Sequence, residues 1–256
     1  MECIQGGLTQ LSGEYLNMLS QEEKKRLETV ASDSWYLRPT NARMIEYCAK
    51  VFARHIRGGR ILELGPAEGV MTPYLAKQAS RLTLVDGAET FCASLRQRFP
   101  QVEVVHTLFE DYRPVEPFDA IVLGHVLEHV AEPSAILKLV RQWLAPGGRI
   151  LAAVPNSRSL HRQAAVVMGM LTFEEAMNEA DIHHGHRRVF NPESFRQCFT
   201  QSGLRIELFG GYWLKPVSNR QIEESWSPAM LDAFLQLGER YPDIAGEIYI
   251  VAQNPE

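Results

Sequence analysis

The sequence predicts an α/β fold, a mostly parallel seven-stranded sheet layered with helices, and three observations predict it. The first is Arg60-Ile-Leu-Glu-Leu-Gly-Pro-Ala-Glu-Gly69, a short apolar run that ends in a glycine and gives way to a helical pattern from Val70 to Gln78. That is a buried strand, a tight turn and a helix start, which leaves free backbone N–H groups facing a ligand. The second is the recurrence of short apolar runs at 81–86, 102–106, 118–124 and 149–155, separated by helical spacing, the alternation that builds a parallel sheet with helices on its faces. The third is two further strand-like runs, 204–209 and 246–252.

Bulk properties bound the rest. A chain of 256 residues, 45% hydrophobic and 22% charged, supports one large domain with its own core. A net charge of -5 and a pI near 5.9 oppose a constitutive nucleic-acid binder, which carries a basic face. Cys3, Cys48, Cys92 and Cys198 show no C-x-x-C spacing, as expected of reduced thiols. The N-terminus lacks a basic start followed by an apolar core, and no apolar run approaches ~18 residues. The expected location is the cytoplasm, without a membrane span.

Taken in order, residues 1–40 read as an N-terminal helical lid. Leu8 to Leu19 has helical spacing, Ser20-Gln-Glu-Glu23 reads as a capping box opening a second helix, and Arg38-Pro39 ends it. Thr40 to Ala53 is a helix leading into the first strand. In the loop that follows, Gly65-x-x-x-Gly69 with Pro66 does not match the G-x-G-x-x-G that admits a pyrophosphate. Glu63 is an acid inside an apolar strand, costly to bury unless a cationic or amino-bearing ligand pairs with it. A helix runs to about Ser80, and the second strand, Arg81 to Asp86, ends in an acid that also reads as the N-cap of a helix from Ala88 to Phe99.

The third strand, Val102 to His106, precedes Leu108-Phe109-Glu110-Asp111, and the fourth, Phe118 to Gly124, leads directly into His125-Val-Leu-Glu128-His129. A helix from Pro133 to Leu144 stops at Ala145-Pro-Gly-Gly148 before the fifth strand, Arg149 to Pro155. Residues 157–190 read as an insertion with an apolar helix, Gln163 to Thr172, and an acidic one, Phe173 to Ala180. Asn191 caps a helix to Ser202, and a second insertion, 210–243, holds a helix from about Pro228 to Gly238.

These segments resemble the class I S-adenosylmethionine (SAM) dependent methyltransferases. Their first motif has the form (V/I)-L-(D/E)-(L/V)-G-x-G-x-G, matched here by Glu63, Gly65 and Gly69, with Ala67 at the middle glycine, where its methyl group is tolerated if φ stays negative. The run from F-D-A-I-V-L through V-L-E-H-V to L-A-P-G-G-R-I-L carries the resemblance further. It implies a Rossmann-like sheet with an antiparallel last strand, residues 41–256 as the methyltransferase domain, the lid closing over the cofactor, and the two insertions as an acceptor cap. It implies SAM bound by Glu63, Gly65, Pro66, Glu68, Gly69, Asp86, Gly87, Phe109, Glu110 and His125. Asp86 would accept both ribose hydroxyls, Leu108 and Phe109 would stack on adenine, and Tyr36 or Arg38 would meet the methionine carboxylate.

Methyl transfer needs an acceptor held in line at about 3 Å and, where it carries a proton, a group to remove it. His125, Glu128 and His129 fall at i, i+3 and i+4, sharing a face if the segment is helical, and His183, His184 and His186 form a second cluster. The pattern resembles the E-x-x-E-H helix and distant histidine of small-RNA 2′-O-methyltransferases and ubiquinone-pathway O-methyltransferases, which in the former holds a divalent cation. Carried over, Glu128 and His129 match, His125 replaces the first glutamate and His186 is the distant histidine. Such a set suits zinc, iron or manganese better than magnesium.

Three roles stay open: a metal site of His125, Glu128, His129 and His186; metal-free catalysis by His129 or His125 with Glu128; or a structural role. Arg187, Arg188, Lys215 and Arg220 are candidates for a cationic pocket that takes an anionic acceptor, with solvated surface charge the leading expectation for any one of them, and Tyr212 and Trp213 are candidates for a stacking wall. The expected reaction is O-methylation of a small polar metabolite, a sugar or hydroxylated intermediate. The alternatives are N-methylation, a non-catalytic SAM-fold binding module, and an RNA methyltransferase, which the acidic balance opposes. The expected partner is a small-molecule acceptor, and a homodimer is compatible with the reading.

Overall fold

The computed structural model describes residues 13–255; Cys3 and the stretch from Leu8 to Ser12 lie outside the described residues. In chain order the helices and strands are α1 (Gly13–Ser32), α2 (Pro39–Ala53), β1 (Arg60–Leu64), α3 (Thr72–Ala76), β2 (Arg81–Asp86), α4 (Glu89–Arg98), β3 (Glu103–His106), β4 (Phe118–Gly124), α5 (Pro133–Val140), β5 (Leu144–Pro155), α6 (Leu160–Val167), α7 (Glu179–His183), α8 (Pro192–Gln201), β6 (Arg205–Tyr212), α9 (Asn219–Ser225), α10 (Pro228–Leu237) and β7 (Glu247–Gln253).

The seven strands form one sheet in the order β3-β2-β1-β4-β5-β7-β6, and β7 runs antiparallel between β5 and β6. The central strands read as continuous apolar runs because both of their faces are covered. On one face Ile61, Leu84, Val122, Leu151 and Val251 pack against Phe52 of α2 and Leu235 of α10. On the other, Leu62, Val85, Ile121, Ile150 and Ile250 pack against Leu137 of α5 and Phe195 and Phe199 of α8. Reversal of order at β1 and β4 opens a crevice at the carboxyl ends of the strands, where ligands bind in this class of sheet.

Several elements differ from the sequence expectation. Ser20 opens no new helix: no proline or internal glycine interrupts α1, so the capping sequence lies inside one continuous helix. Pro39 begins α2 rather than merely ending what precedes it, since proline suits a first helical turn. Residues 125–131 form turns, not a helix. The expected acidic helix from Phe173 is absent, because Arg162 of α6 draws the carbonyls of Glu174 (2.9 Å) and Ala176 out of helical pairing. The helix starts only at α7, where Asn178 and Asp181 form a reciprocal capping box.

Candidate functional site

The turn after β1 takes three residues into left-handed backbone space: Gly65 (φ 63°), Ala67 (φ 48°) and Gly69 (φ 69°). The negative φ that would make an alanine easy to accommodate at position 67 is therefore not adopted. Its amide is turned toward β2, where it donates to Asp86 Oδ2 at 3.3 Å. A Cβ at Gly65 would meet Val126 at 2.9 Å, so the residue there must be small for the loop after β4 to close on the turn.

These loops, α1 and Tyr36 border a cleft of about 850 Å³. Its wall includes Glu63, Gly65, Pro66, Glu68, Asp86, Gly87, Phe109, Glu110 and His125, while Gly69 lies behind it against Leu95 and Phe99. Glu63 is buried and accepts from Thr72 Oγ1 at 2.8 Å; burial pushes its carboxyl up to about 7. Asp86 accepts from the Ala88 amide at 2.9 Å and from Ala67, and burial pushes it up to about 6. Among the described residues neither carboxylate has a cationic partner within salt-bridge distance.

The far end of the cleft is lined by Tyr36, Arg26, His129 and Arg187. His125 sits at φ 60° in the turn after β4, with its amide on the Ala153 carbonyl at 2.9 Å. Its Nε2 meets the Tyr212 hydroxyl at 3.0 Å, and its Nδ1 lies 3.6 Å from both Glu128 Oε1 and Glu247 Oε2. Burial alone would lower its pKa, but Cys48, Glu128 and Glu247 together raise it well above the usual imidazole range. His129 behaves oppositely: burial, only partly offset by Glu128, lowers it to about 3, so its ring is neutral. Its Nε2 faces the Tyr36 hydroxyl at 3.3 Å.

Glu128, His129 and His186 offer ligand atoms within 4.8 Å of one another, and both Glu128 oxygens are buried without a hydrogen-bond partner. His125 lies outside that group. His186 Nδ1 faces Asp181 Oδ1 at 3.4 Å, and Asp181 is held by Arg162 at 3.0 Å.

Other expected residues go elsewhere. Arg38 stacks on Trp35, 3.8 Å from the ring centroid. Tyr212 and Trp213 are buried in the core and form no stacking wall, because both rings pack into the apolar cluster with Met44, Leu235 and Tyr249. The four expected cations do not form one pocket: Arg187 pairs with Glu23, Arg188 binds the carbonyls of Val130 and Ala131, Lys215 covers Trp213, and Arg220 pairs with Glu224 on the surface. Sequence reasoning missed Glu247, although an acid within the apolar run of β7 is the same signal that singled out Glu63.

A family model described as a methyltransferase domain matches residues 36–208. The chain belongs to this methyltransferase family. The ubiquinone biosynthesis O-methyltransferase of Xylella fastidiosa (strain 9a5c) is 28% identical over 171 residues, 64% of this chain and 68% of the relative. The protein of the same name from Pasteurella multocida is 25% identical over 224 residues, 79% of this chain and 91% of the relative. Among solved structures, the 1,6-didemethyltoxoflavin-N1-methyltransferase of Burkholderia thailandensis, with bound S-adenosylhomocysteine, shares the fold at a TM-score of 0.61 and 16% identity, covering 100% of this chain and 94% of that one. The N-methyltransferase NodS of Bradyrhizobium japonicum aligns at a TM-score of 0.59 and 17% identity, covering 93% and 99%.

The methyltransferase is SAM-dependent. Glu63, buried with no cationic partner among the described residues, fits a cofactor that carries a sulfonium and an ammonium, and Asp86 fits its hydroxyl groups. Among the described residues no helix is long and apolar enough to cross a membrane.

Proposed function

We propose that the enzyme methylates a hydroxyl of a small polar metabolite, with His129 as the general base. The observation that carries this reading is the place of the His129 imidazole in the cleft wall, with its Nε2 already 3.3 Å from a hydroxyl, that of Tyr36. SAM supplies an activated methyl group, so the protein's part is to hold the acceptor and take its proton. Asp86 accepts the ribose hydroxyls, Gly65, Pro66 and Gly87 let the backbone approach, Glu63 and Glu68 face the charged methionine end, and Phe109 with Glu110 borders the adenine. Glu128, ionised beside His125, stabilises positive charge as it develops on His129. The curated O-methyltransferase relatives favour oxygen over nitrogen as the target atom.

The test is release of S-adenosylhomocysteine from SAM with a panel of catechols, phenols and sugars. His129→Gln should lose turnover while calorimetric affinity for S-adenosylhomocysteine is kept. A fully active His129→Gln enzyme would remove the base.

A second reading rests on the orphaned oxygens of Glu128. With His129 and His186 this carboxylate would hold a divalent cation, and two imidazoles with one carboxylate suit zinc, iron or manganese. The ion would draw in the acceptor's oxygen. Calorimetry of chelator-treated protein with zinc should then give binding that His186→Ala abolishes; no heat from either protein rejects the site.

A further inference from the structure

Tyr36 stands where the N-terminal segment meets the proposed base. Its phenol oxygen is 3.3 Å from His129 Nε2, and both residues line the cleft. The segment is seated on two sides. Trp35 stacks on His183 at 3.5 Å, Tyr36 leans on His184 at 5.3 Å, and Arg26 reaches the carbonyls of Gly185 (3.2 Å) and His129 (3.4 Å). A phenol O–H donates to an imidazole nitrogen that carries a lone pair, and with the ring proton on Nδ1 the Nε2 of His129 accepts from Tyr36.

A neutral imidazole has one lone pair, and the acceptor's hydroxyl must reach it to be deprotonated. Tyr36 already holds it. We propose that Tyr36 is a positioning residue that occupies His129 Nε2 while no acceptor is present and yields it to the acceptor's hydroxyl. The inference rests on the base reading of His129 and adds to it. The phenol fixes the ring, keeps water off the lone pair, and makes entry of a hydroxyl-bearing acceptor an exchange of one O–H donor for another. An acceptor without such a donor leaves the Tyr36 contact in place.

The probe is diethyl pyrocarbonate, which acylates unprotonated imidazole nitrogens. Labelling of the His129 peptide is followed by mass spectrometry in enzyme saturated with S-adenosylhomocysteine, with the His106 peptide as internal reference. Tyr36→Phe keeps the ring against His184 and removes only the donor. Labelling of His129 should accelerate about fivefold, the equivalent of one ordinary hydrogen bond, with His106 unchanged and cofactor affinity kept. Equal labelling rates overturn the proposal, as does a fall in cofactor affinity with labelling unchanged, which would make Tyr36 a cofactor contact.

The readout needs no turnover. Unchanged labelling beside an inactive His129→Gln enzyme therefore removes Tyr36 alone, whereas an active His129→Gln enzyme removes the base and leaves the labelling result intact.

Discussion

Asp86 and Ala67 are joined across the cleft by a carboxylate oxygen 3.3 Å from a backbone amide. Asp86 closes β2, Ala67 lies in the turn after β1, and the other Asp86 oxygen holds the Ala88 amide at 2.9 Å ahead of α4. One side chain thus fastens two loops, and it is also the acid proposed to meet the ribose. Ala67 is held at φ 48°, a region that costs a non-glycine residue roughly 1–2 kcal/mol. The bond to Asp86 offsets part of that cost.

Asp86→Ala should weaken binding of S-adenosylhomocysteine by about 1–3 kcal/mol, the worth of a hydrogen bond to a charged group. Calorimetry measures it. Asp86→Asn should keep only one of the two loop contacts and lose part of the affinity, because an amide accepts through only one of its two end atoms. Full affinity in Asp86→Ala would take the residue out of the cofactor site.

The cofactor-free protein should lose stability as pH rises through the range set by Glu63. Burial holds this carboxyl at about 7 against a usual value of 4.5. A group whose folded pKa is raised favours the folded state below its unfolded pKa and loses that contribution as pH climbs toward the folded value. Glu63→Gln, which never ionises, should show a flatter melting temperature between about pH 4.5 and 7 than the parent. Parallel curves for the two proteins would mean that Glu63 finds a partner without the ligand.

The sheet was legible because its strands are buried on both faces: 118–124 and 149–155 read as apolar runs whatever the chain does elsewhere. The acids Glu63 and Asp86 were legible for the complementary reason, as charges placed among apolar neighbours. The segment after β4 was not. His125, Glu128 and His129 have helical spacing, but the backbone turns through φ 60° at His125, fixed by its amide on Ala153 and its ring on Tyr212. Those partners lie far along the chain and leave no local trace. The same holds for Arg162, whose reach to Glu174, Ala176 and Asp181 replaced an expected helix with an irregular loop.

Arg162→Ala should therefore be the costliest change away from the cleft. Arg162 is 4% exposed, and its guanidinium pairs with Asp181 at 3.0 Å while binding the Glu174 and Ala176 carbonyls. Removing one member of a buried pair strands the other charge, at about 3–5 kcal/mol. Asp181, held against the cost of its burial by His186, the Asn178 amide and Arg162 well below the usual carboxylate range, would lose its guanidinium partner. Its contact with His186 would then carry the charge, bringing the disturbance to within one residue of Glu128 and His129. A drop in denaturant midpoint at unchanged slope should accompany faster proteolysis between residues 168 and 178, since the carbonyls there lose their anchor. Replacement of both Arg162 and Asp181 by apolar residues should recover much of the loss in stability while leaving the 168–178 segment unanchored, which separates the energy of the stranded charge from that of the loop contacts.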